Sequence, residues 1–396
     1  MQGLRQNWQQ FTLLVIINGF VGGMIGFERT LLPLIAKEDF GIAANSAILS
    51  FIVVFGITKA ITNYYTGKLA NQWGRRRLLI AGWLIGLPVP LLLMYAPTWS
   101  WVIITNIFLG VNQGLTWSST VVMKIELVGE RQRGLAMGLN ESVGYLAVGI
   151  VAFLTGWMAS NWGIRPYPFV LGLVFVFLGL ILSWLFVKDT REHVSHENKS
   201  NQTPLLKNIF NETSWQNPNL GSISQAGLIN NLNDGMIWGL FPVLLAQQGF
   251  DLETIGKIVA VYPLVWGLGQ LFTGRLSDLV NKKRLLFYGM FLQGMSILLL
   301  IIAHDFLHFI VLGIFMGIGT AMVYPTFLAA MSAYTHPSQR AESIGVFRLW
   351  RDLGYAVGAI LTGLISDLLG ISASIVLIGL LTLCSSLIIH FRMSND

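Results

Sequence analysis

The sequence predicts an all-helical integral membrane protein, with twelve transmembrane helices arranged as two pseudo-symmetric six-helix bundles. Three observations carry this reading. Hydrophobic residues make up 54% of the 396 positions and charged residues only 11%, against about 25% charged in soluble domains. Apolar runs long enough to cross a bilayer follow one another along the chain. The second half also repeats the first at a shift of 207 residues.

The composition excludes a soluble enzyme, a disordered chain and a nucleic-acid-binding domain, because so few charges cannot cover a water-facing surface. The net charge of +6 does not reopen the nucleic-acid reading, since the basic residues sit in short clusters between apolar runs rather than on one polar face. Cys384, the one cysteine, excludes an intramolecular disulfide and a cysteine metal cluster. The first apolar run starts near Phe11 and continues past Pro33. That is too long for a signal-peptide core, so it reads as a retained membrane helix.

A helix needs about 20 mostly apolar residues to cross the hydrocarbon. Twelve stretches meet this: 11–36, 46–66, 78–96, 100–123, 134–158, 167–187, 224–246, 254–273, 285–303, 307–330, 341–366 and 371–391. None shows the period-two alternation of a barrel strand. With the amino terminus inside, 18 Lys and Arg fall on the cytoplasmic side, 3 on the other and 4 within spans. The positive-inside rule then places both termini in the cytoplasm. Trp99, Trp101, Trp157, Trp162 and Trp184 fall near span ends, where interfacial anchors belong. The expected organisation is a bundle over 1–187, a cytoplasmic linker over 188–222 and a second bundle over 223–396. Leu205, Leu206, Ile209 and Phe210 in the linker suit a short amphipathic surface helix, and a flexible tether is equally consistent.

The repeat is specific. Thr66–Leu79 reads TGKLANQWGRRRLL and Thr273–Leu286 reads TGRLSDLVNKKRLL. The same shift aligns Ile107–Gly110 with Ile314–Gly317, Thr155-Gly156 with Thr362-Gly363, and Gly163-Ile164 with Gly370-Ile371. Asn18 and Gly23 also have counterparts in Asn230 and Gly235. Two bundles of the same handedness put a solute site at their interface, near the midplane.

Gly67–Arg77 resembles the loop signature of the major facilitator superfamily between its second and third helices, and Gly274–Arg284 resembles its second copy. The resemblance covers the whole chain. It implies the major facilitator fold and a secondary transporter that draws on ion or solute gradients. The sequence also lacks the GxxxxGK[ST] phosphate loop. Gly67, Gly74 and Gly274 permit close helix approach, and Arg75, Arg76 and Arg77 sit where anionic lipid attracts them. The superfamily pattern has an acidic residue where this chain has Asn71, whereas the second copy keeps Asp278. In family terms that acid latches the cytoplasmic side, and a neutral Asn71 forms a weaker bond.

Ionisable residues at bilayer depth persist where they pair or work. The proton-coupling candidates are Asp234, Glu28, Glu141 and Asp352; the opposing cations are Arg29, Lys59, Arg348 and Arg351. Asp234 leads, because Asn230, Asp234 and Trp238 recur at four-residue spacing in span seven. The alternative is a carboxylate locked to Asn230 or to a basic neighbour. At the common shift Arg348 meets Glu141, which suggests a bridge between them; the arginines facing an anionic solute is the other reading. Lys59 reads as structural. The solute-binding candidates are Asn18, Asn112, Gln113, Trp117, Asn230, Trp238, Tyr324 and Arg351, a polar-aromatic set suited to an amphiphilic solute. His304 and His308 lack a third ligand and read as a solvated loop.

The expectation is a secondary active transporter of a small organic solute, running proton-coupled efflux by alternating access in a bacterial plasma membrane. Its partners would be solute, protons and bilayer lipid, with a monomeric chain and no cofactor, metal or nucleic acid. Span five lacks the Gly-Pro pair common in the superfamily's proton-exchanging exporters. The rival readings are proton-coupled uptake of an organic anion and a non-transporting membrane sensor or scaffold. An enzyme is not expected, since no catalytic constellation appears at a membrane face.

Overall fold

In hydrocarbon every backbone N–H and C=O must be satisfied within the chain, which leaves helices as the solution for long apolar runs without alternation. The structure, a computed structural model, describes residues 3–29, 31–42, 45–129, 132–198, 203–250 and 252–394. The side chain of Arg29 lies outside the described residues. All regular structure in the described residues is helical.

The chain forms two compact units: Met1–Gly129 with Ser142–Asn201, and Glu130–Glu141 with Gln202–Asp396. The first contains α1 (Trp8–Arg29), α2 (Leu31–Glu38), α3 (Asn45–Trp73), α4 (Arg75–Gly86), α5 (Pro88–Met94), α6 (Trp99–Val128), α8 (Val170–Leu185), α9 (Arg191–Asn198) and most of α7 (Arg133–Trp162). The second contains α10 (Ile209–Asn211), α11 (Pro218–Gln247), α12 (Leu252–Leu279), α13 (Lys282–Leu299), α14 (Phe306–Ala333), α15 (Pro337–Leu369) and α16 (Ile371–Arg392), together with the opening turns of α7.

Among the described residues, eight helical segments are long and apolar enough to cross a membrane: Trp8–Glu28, Arg75–Met94, Arg133–Trp162, Tyr167–Leu185, Lys282–Ile302, Phe306–Ala333, Pro337–Leu369 and Ile371–Arg392. Helices α3, α6, α11 and α12 have 28–30 residues and carry more polar side chains. Together these match the twelve expected spans. The outward faces are apolar: Phe153, Leu368 and Phe391 are at least 73% exposed, as lipid-facing residues are and soluble surfaces rarely are. Trp101, Trp157, Trp162 and Trp184 also project outward.

Lipid is as apolar as leucine, so these helices associate through close packing and buried hydrogen bonds. A Cβ at Gly354 would meet Leu228 O, Asn231 Cβ and Leu232 N, so α15 lies on the α11 backbone there. Asn233 donates to Gln293 Oε1 at 3.2 Å and accepts from Thr382 Oγ1 at 2.7 Å, tying α11 to α13 and α16.

The linker residues from Leu206 to Gln216 pack against α15. The Gln339 amide bonds both Leu206 N and Leu206 O, at 2.8 and 2.9 Å. A π-helical turn, Glu212–Gln216, follows α10. Trp350 Nε1 donates to Ser214 Oγ at 2.8 Å, and the Trp350 ring sits 6.3 Å from Trp215. The segment is docked on α15.

Gly354→Val should lower stability by about 1–3 kcal/mol, the usual cost of overpacking a close crossing. Thermal unfolding of purified protein in detergent measures it. An unchanged midpoint would show that α11 and α15 separate at no cost.

Candidate functional site

Within the second unit a buried polar column runs between α11, α12, α14 and α15. Asp234 is fully buried near the middle of α11. Its Oδ1 accepts from Tyr262 Oη at 2.5 Å, and its Oδ2 from Tyr355 Oη at 3.4 Å. Tyr262 Oη also lies 3.1 Å from Thr320 Oγ1. The carboxylate thus joins α11 to α12 and α15, and Tyr262 extends the link to α14. Burying it without such donors would be prohibitive, so the phenols are what allow it to persist.

One turn back toward the start of α11, Asn231 Oδ1 accepts from Tyr324 Oη at 2.9 Å, and Asn231 Nδ2 makes a long 3.5 Å bond to Asp352 Oδ1. Arg351 pairs with Asp352 Oδ1, through Nε and Nη2, each at 2.9 Å. The Arg351 guanidinium also lies 5.5 Å from the Tyr324 ring and 6.0 Å from Phe347, a favourable cation–π geometry. Trp266 sits 4.8 Å from Tyr324 and 5.9 Å from Tyr262. Arg348 and Glu141 are both fully buried, and Glu141 Oε1 accepts from Asn140 Nδ2 at 2.6 Å.

The first unit is built differently at the corresponding places. Asn18 Oδ1 accepts from Thr120 Oγ1 at 3.1 Å. Trp117 stands 5.4 Å from Tyr145, and the Lys59 ammonium lies 5.3 Å from Trp117 and 5.5 Å from Phe55. Asn112 and Gln113 spend their donors on packing: Asn112 Nδ2 on Gly82 O at 2.8 Å, Gln113 Nε2 on Val21 O at 2.9 Å. Glu28 is buried in α1.

The repeat makes the contrast quantitative. A shift of 207 aligns Phe55, Lys59, Trp117 and Gly144 with Tyr262, Trp266, Tyr324 and Arg351. The shift of 212 that relates Asn18 to Asn230 aligns Gly22 with Asp234. In the first unit a Cβ at Gly22 would strike the Gly144 backbone, so α1 and α7 meet there. The second unit replaces both glycines with charged residues and the phenylalanine with a phenol. Close packing in one unit has become a polar site in the other.

Loop residues hold the ends. Arg75 and Glu126 form a buried pair: Nη2 and Nε reach Glu126 Oε1 at 2.7 and 3.1 Å. Arg75 Nη2 also donates to Asn71 Oδ1 at 3.0 Å, and Thr190 Oγ1 donates to Glu126 Oε2. Asn71 lacks a charge, and Glu126 supplies it. At the 207 shift Glu126 becomes Ala333 while Asn71 becomes Asp278, so each unit keeps one acid in a different place. Gly74 has φ +86, and a Cβ there would lie 2.5 Å from Asp189 Oδ2. Arg76 N donates to that same oxygen at 3.2 Å, and Arg77 is exposed. Gly67 is buried in α3.

In the second unit Asp278 accepts from Gly134 N at 2.7 Å and Leu135 N at 2.9 Å, capping the start of α7. A Cβ at Gly134 would strike Ser277 and the Gly274 backbone, and Gly274 and Gly138 pack backbone to backbone. Burial pushes the Asp278 carboxyl above its ordinary range, against the pull of the two backbone donors and of Lys282 and Arg133.

A family model described as Major Facilitator Superfamily matches residues 11–220 and 223–395. The chain belongs to this superfamily. It is therefore a membrane transporter of the two-bundle, twelve-helix fold, and not an enzyme. It is similar to the proton-coupled antiporter flippase LtaA of Staphylococcus epidermidis, 25% identical over 378 residues, 91% of this chain and 88% of the relative. It is also similar to multidrug resistance protein MdtG of Yersinia enterocolitica, 22% identical over 379 residues, covering 93% of this chain and 89% of that protein. The crystal structure of the human organic anion transporter MFSD10 shares the fold, with a TM-score of 0.78 at 14% identity over 96% of this chain and 99% of that one.

The structure brings Asp234, Tyr324, Arg351 and Asp352 into one column. Asn230 is fully buried on the same helix, whereas Trp238 is 41% exposed and leaves the column. Sequence reading passed over Tyr262, Trp266, Asn231 and Glu126. The four-residue recurrence of Tyr262, Trp266 and Gln270 within an apolar run was the available signal for the first two.

Glu126→Ala should destabilise the protein by about 3–5 kcal/mol, because it leaves Arg75 buried without its counter-ion. Chemical unfolding in detergent reads the loss, and a loss near zero would mean Arg75 reaches solvent. Asp278 gives a pH signature. A carboxyl raised in the folded state contributes its stability in full below the ordinary carboxylate pKa and loses it as pH rises through the raised one. The unfolding temperature of the native protein minus that of Asp278→Asn should fall from about pH 4 toward neutrality. A difference that grows with pH would mean the α7 donors outweigh burial.

Proposed function

We propose that the chain is a proton-coupled secondary transporter that exports a small organic solute by antiport, its two halves exposing a central site alternately to each side. The supporting observation is Asp234, a fully buried carboxyl joined to α12 and α15 by phenols. Ionised, it accepts from both tyrosines; protonated, it gives up an acceptor position and the links to α12 and α15 loosen. Proton uptake would therefore change helix packing at the depth where solute binds. The relatives, a proton-coupled antiporter flippase and a multidrug resistance protein, point the same way.

The lysine and arginine distribution supports an orientation with both termini in the cytoplasm of a bacterial plasma membrane. The Asp278 cap on α7 and the Arg75–Glu126 pair would then lie on the cytoplasmic side and stabilise its closed state. The guanidinium of Arg351 favours a second reading, uptake of an organic anion with a proton.

Proteoliposomes loaded with a pH-sensitive dye separate the two readings. Under antiport, solute added outside alkalinises the lumen; under symport it acidifies it. Asp234→Asn should abolish the solute-evoked signal while unfolding at the temperature of the parent or above it. Normal proton movement in that variant would remove Asp234 from the coupling step.

A further inference from the structure

A cavity of about 510 Å³ lies at the end of the second unit where the linker meets the helix termini. Thr203, Pro204 and Leu206 of the linker form one wall. Asn217 just before α11, Lys282 at the start of α13, and Ala333 and Tyr334 at the end of α14 form the rest. Its volume is that of a small-molecule site. Asn217 precedes Asp234 by 17 residues of chain, about 25 Å along the helix axis. The cavity is therefore separate from the polar column.

The internal repeat shows what this place has lost. At the 207 shift Lys282 corresponds to Arg75, and Ala333 to Glu126. In the first unit those two form a buried ion pair, with Arg75 Nη2 2.7 Å from Glu126 Oε1. The Thr190 hydroxyl donates to the other oxygen of Glu126. The second unit keeps the cation and cuts the acid back to a methyl. Both matched residues line the cavity.

The charge left behind is not answered from nearby. Asp278 lies within electrostatic reach of Lys282, but also of Arg133, so one acid faces two cations. Its two oxygens already accept from Gly134 N and Leu135 N. Among the described residues no hydrogen bond or ion pair holds the Lys282 ammonium. Lys282 also opens α13, where the helix dipole adds positive potential. Asn217 Oδ1 is spent on Asn219 N and Leu220 N, at 3.0 and 3.1 Å, which leaves its Nδ2 donor. Cation and donor both call for an anion.

We propose that this cavity binds an organic carboxylate, whose charge pairs with Lys282 as Glu126 pairs with Arg75, and whose apolar body rests against Pro204, Leu206 and Tyr334. The ligand supplies from outside the acid that the first unit carries in its own chain. It joins the linker to the ends of α13 and α14. The linker wall is already fixed for this, because the Gln339 amide clasps both Leu206 N and Leu206 O. The carboxylate comes either from solution or from a fatty acid in the bilayer. The site stands apart from the transported solute and does not depend on proton coupling at Asp234.

The test uses the full chain in lipid nanodiscs at neutral pH, with no gradient. The probes are benzoate, its neutral isostere benzamide, and hexadecanoate. Thermal unfolding is followed against probe concentration. A carboxylate should raise the unfolding temperature at concentrations at least tenfold below those benzamide needs. A response to benzoate assigns a dissolved ligand, and a response to hexadecanoate alone assigns a bilayer one; either supports the site. Lys282→Gln should weaken carboxylate binding at least tenfold. Ala333→Glu should raise the unfolding temperature without any probe and abolish the response to carboxylates, because the built-in acid takes the ligand's place. That variant adds a counter-ion rather than removing a contact, so it decides the matter even where Lys282→Gln does not fold. Benzamide acting as strongly as benzoate, no response to either carboxylate, or carboxylate binding unchanged in Ala333→Glu would each overturn the proposal. The last result would place the anion elsewhere, for instance at Arg351.

Discussion

A carboxylate out of reach of water, Asp234, governs the arrangement of the second unit. Burial makes its charge expensive, and only directed donors offset that. The Tyr262 hydroxyl at 2.5 Å provides one and the Tyr355 hydroxyl at 3.4 Å another. Because the donors come from α12 and α15 while the acceptor sits on α11, the protonation state of a single group is felt by three helices. A lipid-facing fold has little hydrophobic force between its helices, so such bonds carry an unusual share of the work of holding them together.

The two units apply one ancestral plan to different ends. Where the first brings Gly22 against Gly144 and closes α1 on α7, the second carries Asp234 and Arg351. Where the first sets Phe55 beside Lys59, the second sets Tyr262 beside Trp266. The acid near the loops has also moved, from Glu126 in one unit to Asp278 in the other. Duplication supplied the scaffold, and substitutions at matched positions divided closure from chemistry.

One matched pair of amides follows the same logic. Asn63 Oδ1 accepts from Ser118, and the matched positions of the second unit hold Gln270 and Pro325. A proline removes both a side-chain hydroxyl and a backbone donor.

The sequence by itself determined the solvent, the twelve spans, the repeat and the superfamily, because these depend on composition and on periods that survive without coordinates. It also picked out Asp234, Tyr324, Arg351 and Asp352, since an ionisable or aromatic residue inside an apolar run is conspicuous. Tertiary structure alone decided how they are used. Tyr262 is an ordinary aromatic in a membrane helix until α12 lays it on Asp234. Arg351 reads as an open cation until its guanidinium is seen on Asp352. Asn112 and Gln113 stand out as polar residues in an apolar run, and only the structure shows their amide nitrogens on Gly82 O and Val21 O. A linear pattern records which groups a helix carries, whereas the partner that spends or spares a hydrogen bond comes from another helix, and crossing geometry sets that pairing.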